Sequence, residues 1–277
     1  MPLLSRPAAA HPRFHALEVA AVDPVAEHAV AVAFAVPDAL AAVLLDYLPG
    51  QYVTLRADIG RDVVRQSYSL WTPPSRARRE RLLRVAAARV QGGRMSPWLT
   101  EAVAPGDHVD VLPPLGDFVL TPAAGPRHHV AVAGGSGITP VLAIIAAALE
   151  EHPGSRVDLL LTNRTRASTV LAAEVATLVG ASGGRLGVTH VLTREESPGA
   201  LSGHVTGERI AAVAGDVGSV DAWWLCGPEG LLALTEAELA ARGVPEGRVH
   251  RERFTATGPV DAQRPPAASG AGPAQRS

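Results

Sequence analysis

The sequence predicts two domains in series: an N-terminal antiparallel β-barrel, then an α/β domain built on a parallel sheet. Three observations lead there. The 277 residues are enough for two domains of ordinary size, each with its own core. From about Phe14 to Leu120 the chain is a series of short apolar runs broken by turn residues. From His128 onward the apolar runs alternate with helical segments, the pattern of a parallel sheet covered on both faces. We place the first domain at residues 12–122, the second at 126–254, and a tail or linker remnant at 255–277.

In the first domain the expected strands are HAVAVAFAVP, GQYVTLRAD, VVRQSYSLW, LLRVAAARV and DHVDVLPP, with PDAL, TPPSRARRE and PGD as breakers between them. Strands at this spacing suit an antiparallel barrel or sandwich. In the second, HHVAVA, RVDLLLT, LGVTHVLT, DAWWLC and RVHRERF read as strands, with helices near 140–151, 168–179, 207–214 and 229–242. Beyond Phe254 the composition shifts to Ala, Pro, Gly and Ser, which predicts disorder.

Composition excludes several functions. A net charge of -2 leaves no electrostatic footprint for nucleic acid or an anionic membrane. All 25 basic residues are Arg, so there is no P-loop lysine and no Schiff-base lysine. Cys226 is the only cysteine, which removes internal disulfides, cysteine zinc sites and four-thiolate iron-sulfur clusters within these residues. The His residues show no metal-ligand spacing; His250 and Glu252 could share a strand face, but an ordinary strand explains them, and no metal is expected. The first residues lack a signal-peptide pattern and no apolar stretch reaches membrane-spanning length, so the expected location is the cytoplasm, without membrane or nucleic-acid partners.

The most informative run is HHVAVAGGSGITPVLAIIAAALEE, residues 128–151, which reads as strand, glycine turn and helix. That arrangement presents free backbone N–H groups to a phosphate. Gly134, Gly135 and Gly137 allow a tight bend and close approach of a ligand. Ser136 lies between them; Thr139 is expected to cap the helix, and Pro140 suits its first turn. Alone, this string also fits a plain strand-to-helix turn. GGSGITP, TNRT, TRE and CGPEG each follow an expected strand, however, and ligands bind beyond the carboxyl ends of parallel strands, so four turns converge on one crevice.

Taken in order, PGQYVTL (49–55), SYSL (67–70), GGRMS (92–96), PPLGDF (113–118), GGSGITP (134–140), CGPEG (226–230) and ERF (252–254) resemble the ferredoxin-NADP reductase superfamily. Within it, FHALEVA and HRERFT look most like the reductase subunits of phenylacetyl-CoA epoxygenase systems. The resemblance covers about residues 14–255 and implies a flavin-binding barrel followed by an NAD(P)-binding domain. It implies that Tyr68 stacks on the isoalloxazine of FAD, that Ser69 hydrogen-bonds near flavin N5, and that Leu70 completes this SYSL segment. Gly92, Gly93, Met95 and Ser96 would line the FAD pyrophosphate, held by backbone N–H groups and a hydroxyl. Cys226, Gly227 and Pro228 would lie beside the nicotinamide, and Glu252 and Phe254 would close over the flavin. Ser69, Cys226 and Glu252 are thus the candidate catalytic residues. Arg164, Thr193 and Arg194 match positions that grip the adenosine 2′-phosphate in NADP-preferring relatives, where a planar guanidinium meets phosphate with two hydrogen bonds. NADP is the expected dinucleotide, with NAD possible.

At one position the chain departs from the family. Where relatives carry Arg two residues before the tyrosine, this chain has Gln66, with Arg65 one place earlier. On a regular strand Arg65 points away from Tyr68 and cannot replace that arginine without a bulge. A lost charge-assisted hydrogen bond costs roughly 1.5–3 kcal/mol, about one to two decades of FAD affinity. The expected activity is electron transfer from NADPH through FAD to a separate acceptor such as a ferredoxin or an oxygenase component, because full relatives continue into a plant-type ferredoxin domain and this chain stops at the linker. The rival from another class is a degenerate, non-catalytic nucleotide-binding protein. A hydrolase built on Ser136 fails, since GGSGI lacks the second glycine of a nucleophile elbow.

Overall fold

Alternating small and branched apolar residues in the first half pair into antiparallel strands with one face inward. The computed structural model describes residues 12–254, so the expectations for residues 1–11 and 255–277 lie outside the described residues. The strands are β1 (His15–Ala26), β2 (Ala29–Ala35), β3 (Tyr52–Ile59), β4 (Asp62–Ser69), β5 (Leu82–Ala88) and β6 (His108–Val111). They form one sheet in the order β4-β3-β6-β1-β2-β5, and a bridge between Leu70 and Val85 joins its two edge strands. That bridge closes the sheet into a barrel and covers its edges. Leu17, Val19, Phe34, Val53, Leu55 and Val111 fill the interior.

Three short helices interrupt the barrel strands: α1 (Ala41–Leu44), α2 (Pro74–Glu80) and α3 (Met95–Glu101). None was expected. Segment TPPSRARRE reads as a breaker because of its prolines, yet Pro74 sits at the start of α2, where a missing N–H costs nothing, and Arg76 pairs with Glu80 one turn later at 2.9 Å. α3 drives Met95 and Leu99 into the barrel core.

In the second half β7 (His128–Gly134), β8 (Arg156–Asn163), β9 (Leu186–Leu192), β10 (Ala200–Ser202), β11 (Ala222–Cys226) and β12 (Val249–Glu252) run parallel in the order β10-β9-β8-β7-β11-β12. The helices are α4 (Ile138–Glu151), α5 (Ala172–Ala181), α6 (Gly207–Ala214) and α7 (Glu229–Ala241). α4 and α5 pack on one face, while Ile210 of α6 and Leu232 and Leu239 of α7 pack on the other. The chain leaves β7 towards β8 and later returns to its other side as β11, so a topological switch point lies between β7 and β11. Parallel doubly wound sheets bind their ligands there.

Two expectations shift in detail. The helix expected near 168–179 starts only at Ala172, because Thr165, Ser168 and Thr169 bond one another and nearby carbonyls instead. The strand expected over RVHRERF covers Val249–Glu252.

One apolar cluster spans both domains. Trp71, Ala86, Phe118 and Leu120 of the barrel side pack with Ile138, Leu142, Trp224 and Cys226 of the α/β side. Backbone bonds reinforce this seam: Glu27 N–H donates to Ala167 at 2.8 Å and Leu171 N–H to Val25 at 3.2 Å. The carboxyl ends of β7 and β11 therefore open onto a fixed neighbour.

Candidate functional site

The turns after β7 and β11 interlock. A Cβ on Gly137 would lie 2.2 Å from the Cys226 carbonyl oxygen, and one on Gly227 would lie 2.9 Å from the Gly134 nitrogen. Any side chain there would push the turns apart, so glycine at both positions follows from close packing. Gly134 packs against Pro228 in the same contact. Gly135 differs: it is left-handed at φ 57, with open space around the position a Cβ would take. Here a ligand can approach the start of α4, where Ile138 N–H turns back to the Gly135 and Ser136 carbonyls and Pro140 has no N–H to satisfy. Ser136 lies beside it, partly exposed. Thr139 does not cap α4. The cap is Gly137, with no side-chain bond, and the Thr139 hydroxyl donates back to the Ser136 carbonyl at 2.9 Å. Pro140 stands in the first turn, as expected.

At the β11 side, Cys226 is fully buried, opposite Ala133 of β7 and Glu252 of β12. Burial, with the Glu252 carboxylate beside it, pushes the thiol well above its usual range, so it is a neutral group. Burial and Asp117 of the PPLGDF segment raise Glu252 in turn. Phe254, at the end of the described residues, is 48% exposed. Two residues before Cys226, Trp224 stacks on His250 at 4.3 Å and meets the Phe118 edge at 5.4 Å, which assigns His250 to an aromatic stack. The Trp224 indole N–H donates to His129 Nδ1 at 3.2 Å. Since an indole only donates, His129 must present that nitrogen unprotonated.

At the β8 side the ladder continues into the turns. Thr193 N–H donates to Asn163 at 3.0 Å and Arg194 N–H to Arg164 at 2.9 Å. The Arg164 and Arg194 side chains are exposed, and neither has an ion-pair or hydrogen-bond partner among the described residues. Arg166 nearby is committed to Ser197 and the Pro198 carbonyl. Sequence reasoning passed over Asn163 itself, whose carboxamide is buried with neither end bonded among the described residues. A signal was available, since it is the only asparagine in the chain.

On the barrel, β3 and β4 stay in register from Tyr52↔Ser69 to Ile59↔Asp62 without a bulge. Val64, Gln66 and Tyr68 therefore share one face, with Val64 and Tyr68 packed on the barrel core. Arg65 leaves on the opposite face and lies 5.4 Å from the Phe14 ring centre. Burial raises the Tyr68 hydroxyl above its usual range. Ser69 is buried, and Leu70 is spent in the core and in the barrel-closing bridge. In GGRMS, Gly92 is left-handed at φ 75 with open space beside it. Gly93 N–H turns back to Val90 at 3.0 Å, and Ser96 Oγ accepts from Val90 N–H at 3.1 Å, leaving its own O–H to donate. The Met95 side chain is in the core, so only its main chain can face a ligand. Arg94 bonds Asp62 and the Ile59 carbonyl, each at 2.5 Å, and so ties this loop to the β3–β4 hairpin. An open glycine turn, a free hydroxyl and a half-buried tyrosine fit a flavin dinucleotide, with Gln66 supplying no charge.

Comparison with known proteins agrees with this geometry. The family described as "Oxidoreductase FAD-binding domain" matches residues 17–120, and "Oxidoreductase NAD-binding domain" matches residues 131–237. The chain is 32% identical over 250 residues to a component of the 1,2-phenylacetyl-CoA epoxidase of Escherichia coli, covering 88% of this chain and 69% of that one. It is 34% identical to the ferredoxin reductase component of 3-ketosteroid-9-alpha-monooxygenase of Rhodococcus rhodochrous, over 80% of this chain and 60% of that one. Among solved structures, the Amycolatopsis cytochrome P450 reductase matches with a TM-score of 0.74 at 27% identity, covering 87% of this chain and 70% of that one. With both halves matched and these identities, the chain belongs to the ferredoxin-NADP reductase superfamily, oxidoreductases that pair an FAD-binding with an NAD-binding domain.

Proposed function

We propose that the protein is an FAD-dependent NAD(P)H oxidoreductase, preferring NADPH, that delivers electrons to a separate ferredoxin or oxygenase component in the cytoplasm. Residues 12–122 hold FAD and residues 126–254 hold the dinucleotide. FAD bound there would supply the chemistry of accepting two electrons as hydride and releasing them singly. One observation carries the reading: the β7 and β11 turns interlock at Gly137 and Gly227, which fixes the open Gly135 turn next to Cys226, and Cys226 packs in the apolar cluster shared with the barrel. Gly134–Gly137 and the start of α4 receive the pyrophosphate, while Gly227 and Pro228 shape the nicotinamide end. Cys226 is a neutral, packed wall that excludes water, Ser69 offers a hydroxyl, and Glu252 holds a proton more tightly than an ordinary carboxyl. Tyr68 backs the flavin ring, with Phe254 closing the other side. The unpaired Arg164 and Arg194, with Thr193, read the 2′-phosphate.

The relatives' names describe components of oxygenase systems, one of them a ferredoxin reductase, which supports electron export over a non-catalytic nucleotide-binding role. No helix among the described residues is long and apolar enough to cross a membrane. The test is NADPH-driven reduction of ferricyanide with and without added FAD. FAD-dependent turnover, faster with NADPH than with NADH, is expected; none with either dinucleotide would refute the reading.

A further inference from the structure

We infer that Asn163 is a binding residue for the pyridine dinucleotide, its buried carboxamide hydrogen-bonding the ribose-pyrophosphate stretch that NADPH and NADH share. This rests on the reading that the crevice takes a dinucleotide. Asn163 is 7% exposed, and neither its Oδ1 nor its Nδ2 has a hydrogen-bond partner among the described residues. Buried polar groups are almost always bonded, so a side chain with both ends open lowers the stability of the empty protein. Among the described residues the buried indoles of Trp71 and Trp223 each leave one donor unmet, whereas Asn163 leaves a donor group and an acceptor together. Its backbone is fully used, with the carbonyl accepting from Thr193 at 3.0 Å.

Position supplies the ligand. Thr162 stands opposite Gly134 in the parallel ladder, so Asn163 ends β8 at the level of the open Gly135 turn. By strand alternation its side chain leaves on the face of Leu159 and Leu161, the face that also carries Ala133, Cys226 and α4 and is turned to the barrel. It thus lies between the N-terminus of α4, a 14-residue helix, and the Arg164–Arg194 pair. An uncharged amide with two N–H donors and one acceptor suits phosphate oxygens and ribose hydroxyls at once. Being neutral, it gives no preference for a 2′-phosphate, and the choice between NADPH and NADH stays with the arginines.

The chain contains a single asparagine, so 15N-asparagine labelling yields one side-chain carboxamide signal pair. In the full chain, that pair should shift and saturate on addition of NADP+ and of NAD+ alike, and in a uniformly 15N-labelled sample the backbone N–H signals of Gly134–Gly137 should move with it. If the glycine signals move and the carboxamide does not, the inference fails while the dinucleotide reading stands. If neither moves, both fail. A second variant separates binding from architecture. Asn163→Leu removes the unpartnered amide, so the empty protein should gain about 2–4 °C in Tm. Affinity for NADP+ and NAD+ should fall by the same factor, about five- to tenfold. A lower Tm with unchanged affinity for both would overturn the assignment.

Discussion

The backbone N–H of Arg194 donates to the carbonyl of Arg164 at 2.9 Å, so the turns after β8 and β9 hold two arginines side by side beyond the carboxyl ends of the parallel strands. Both guanidinium groups are exposed and lack partners among the described residues. Such a pair is an anion receptor waiting for a charge. Arg194→Ala should raise KM for NADPH by about tenfold or more, the loss of one charge-assisted contact, and leave KM for NADH nearly unchanged. Steady-state kinetics with both dinucleotides check this; equal effects would show that the pair does not read the 2′-phosphate.

Gln66 occupies the face of β4 shared with Tyr68, whereas Arg65 is turned away beside Phe14. A guanidinium on the Tyr68 face would add a charged contact to the FAD phosphates. Gln66→Arg should tighten FAD binding by about tenfold, measured by titration calorimetry. Unchanged affinity would mean that Arg94 or another group already neutralises the phosphates.

Cys226 is buried and its thiol is held protonated by burial and by Glu252. It should resist alkylation in the native protein and react only on unfolding. Cys226→Ala should leave FAD content unchanged and slow reduction of the bound flavin by NADPH about tenfold or more in stopped flow, because small misplacement of reacting groups is costly. Wild-type rates in the variant would make Cys226 a packing residue alone.

His129 is held neutral in the fold, with its pKa lowered from 6.5 to about 4 by burial, the Arg127 charge adding to the effect. Between these two pH values the unfolded chain binds a proton that the folded chain does not. Stability therefore rises with pH from about 4 to 6.5 and is lost on acidification through that window, by up to about 3 kcal/mol. His129→Gln keeps an acceptor for the Trp224 indole and removes the titration. Urea midpoints at pH 4.5 and 7 should differ less in the variant than in the parent; an equal difference would remove His129 as the cause.

The features that declare the family were legible because each has a local cause. Gly137 and Gly227 must be glycine for two turns to touch, and the alternation of β4 already places Arg65 away from Tyr68. What was not legible depends on tertiary context. Nothing local shows that Pro74 begins a helix, that Thr139 bonds backward rather than caps, or that Trp224 and His250 meet, which follows only from the β11–β12 register. Leu171 adopts a left-handed φ of 58 where it bonds to Val25 across the domain seam, a strain no sequence pattern announces. Asn163 was hidden for the same reason: TNRT reads as a turn, and only burial shows its amide unsatisfied.

Both halves of the protein are expected to act on one flavin, and the most direct measurement of that is an anaerobic titration of FAD-reconstituted protein with NADPH, followed by flavin absorbance. Stoichiometric bleaching of a protein-bound flavin, reversed by ferricyanide, is the predicted result. A protein that takes up no FAD at saturating concentration, or that binds FAD but leaves it oxidised in excess NADPH and excess NADH, would contradict it.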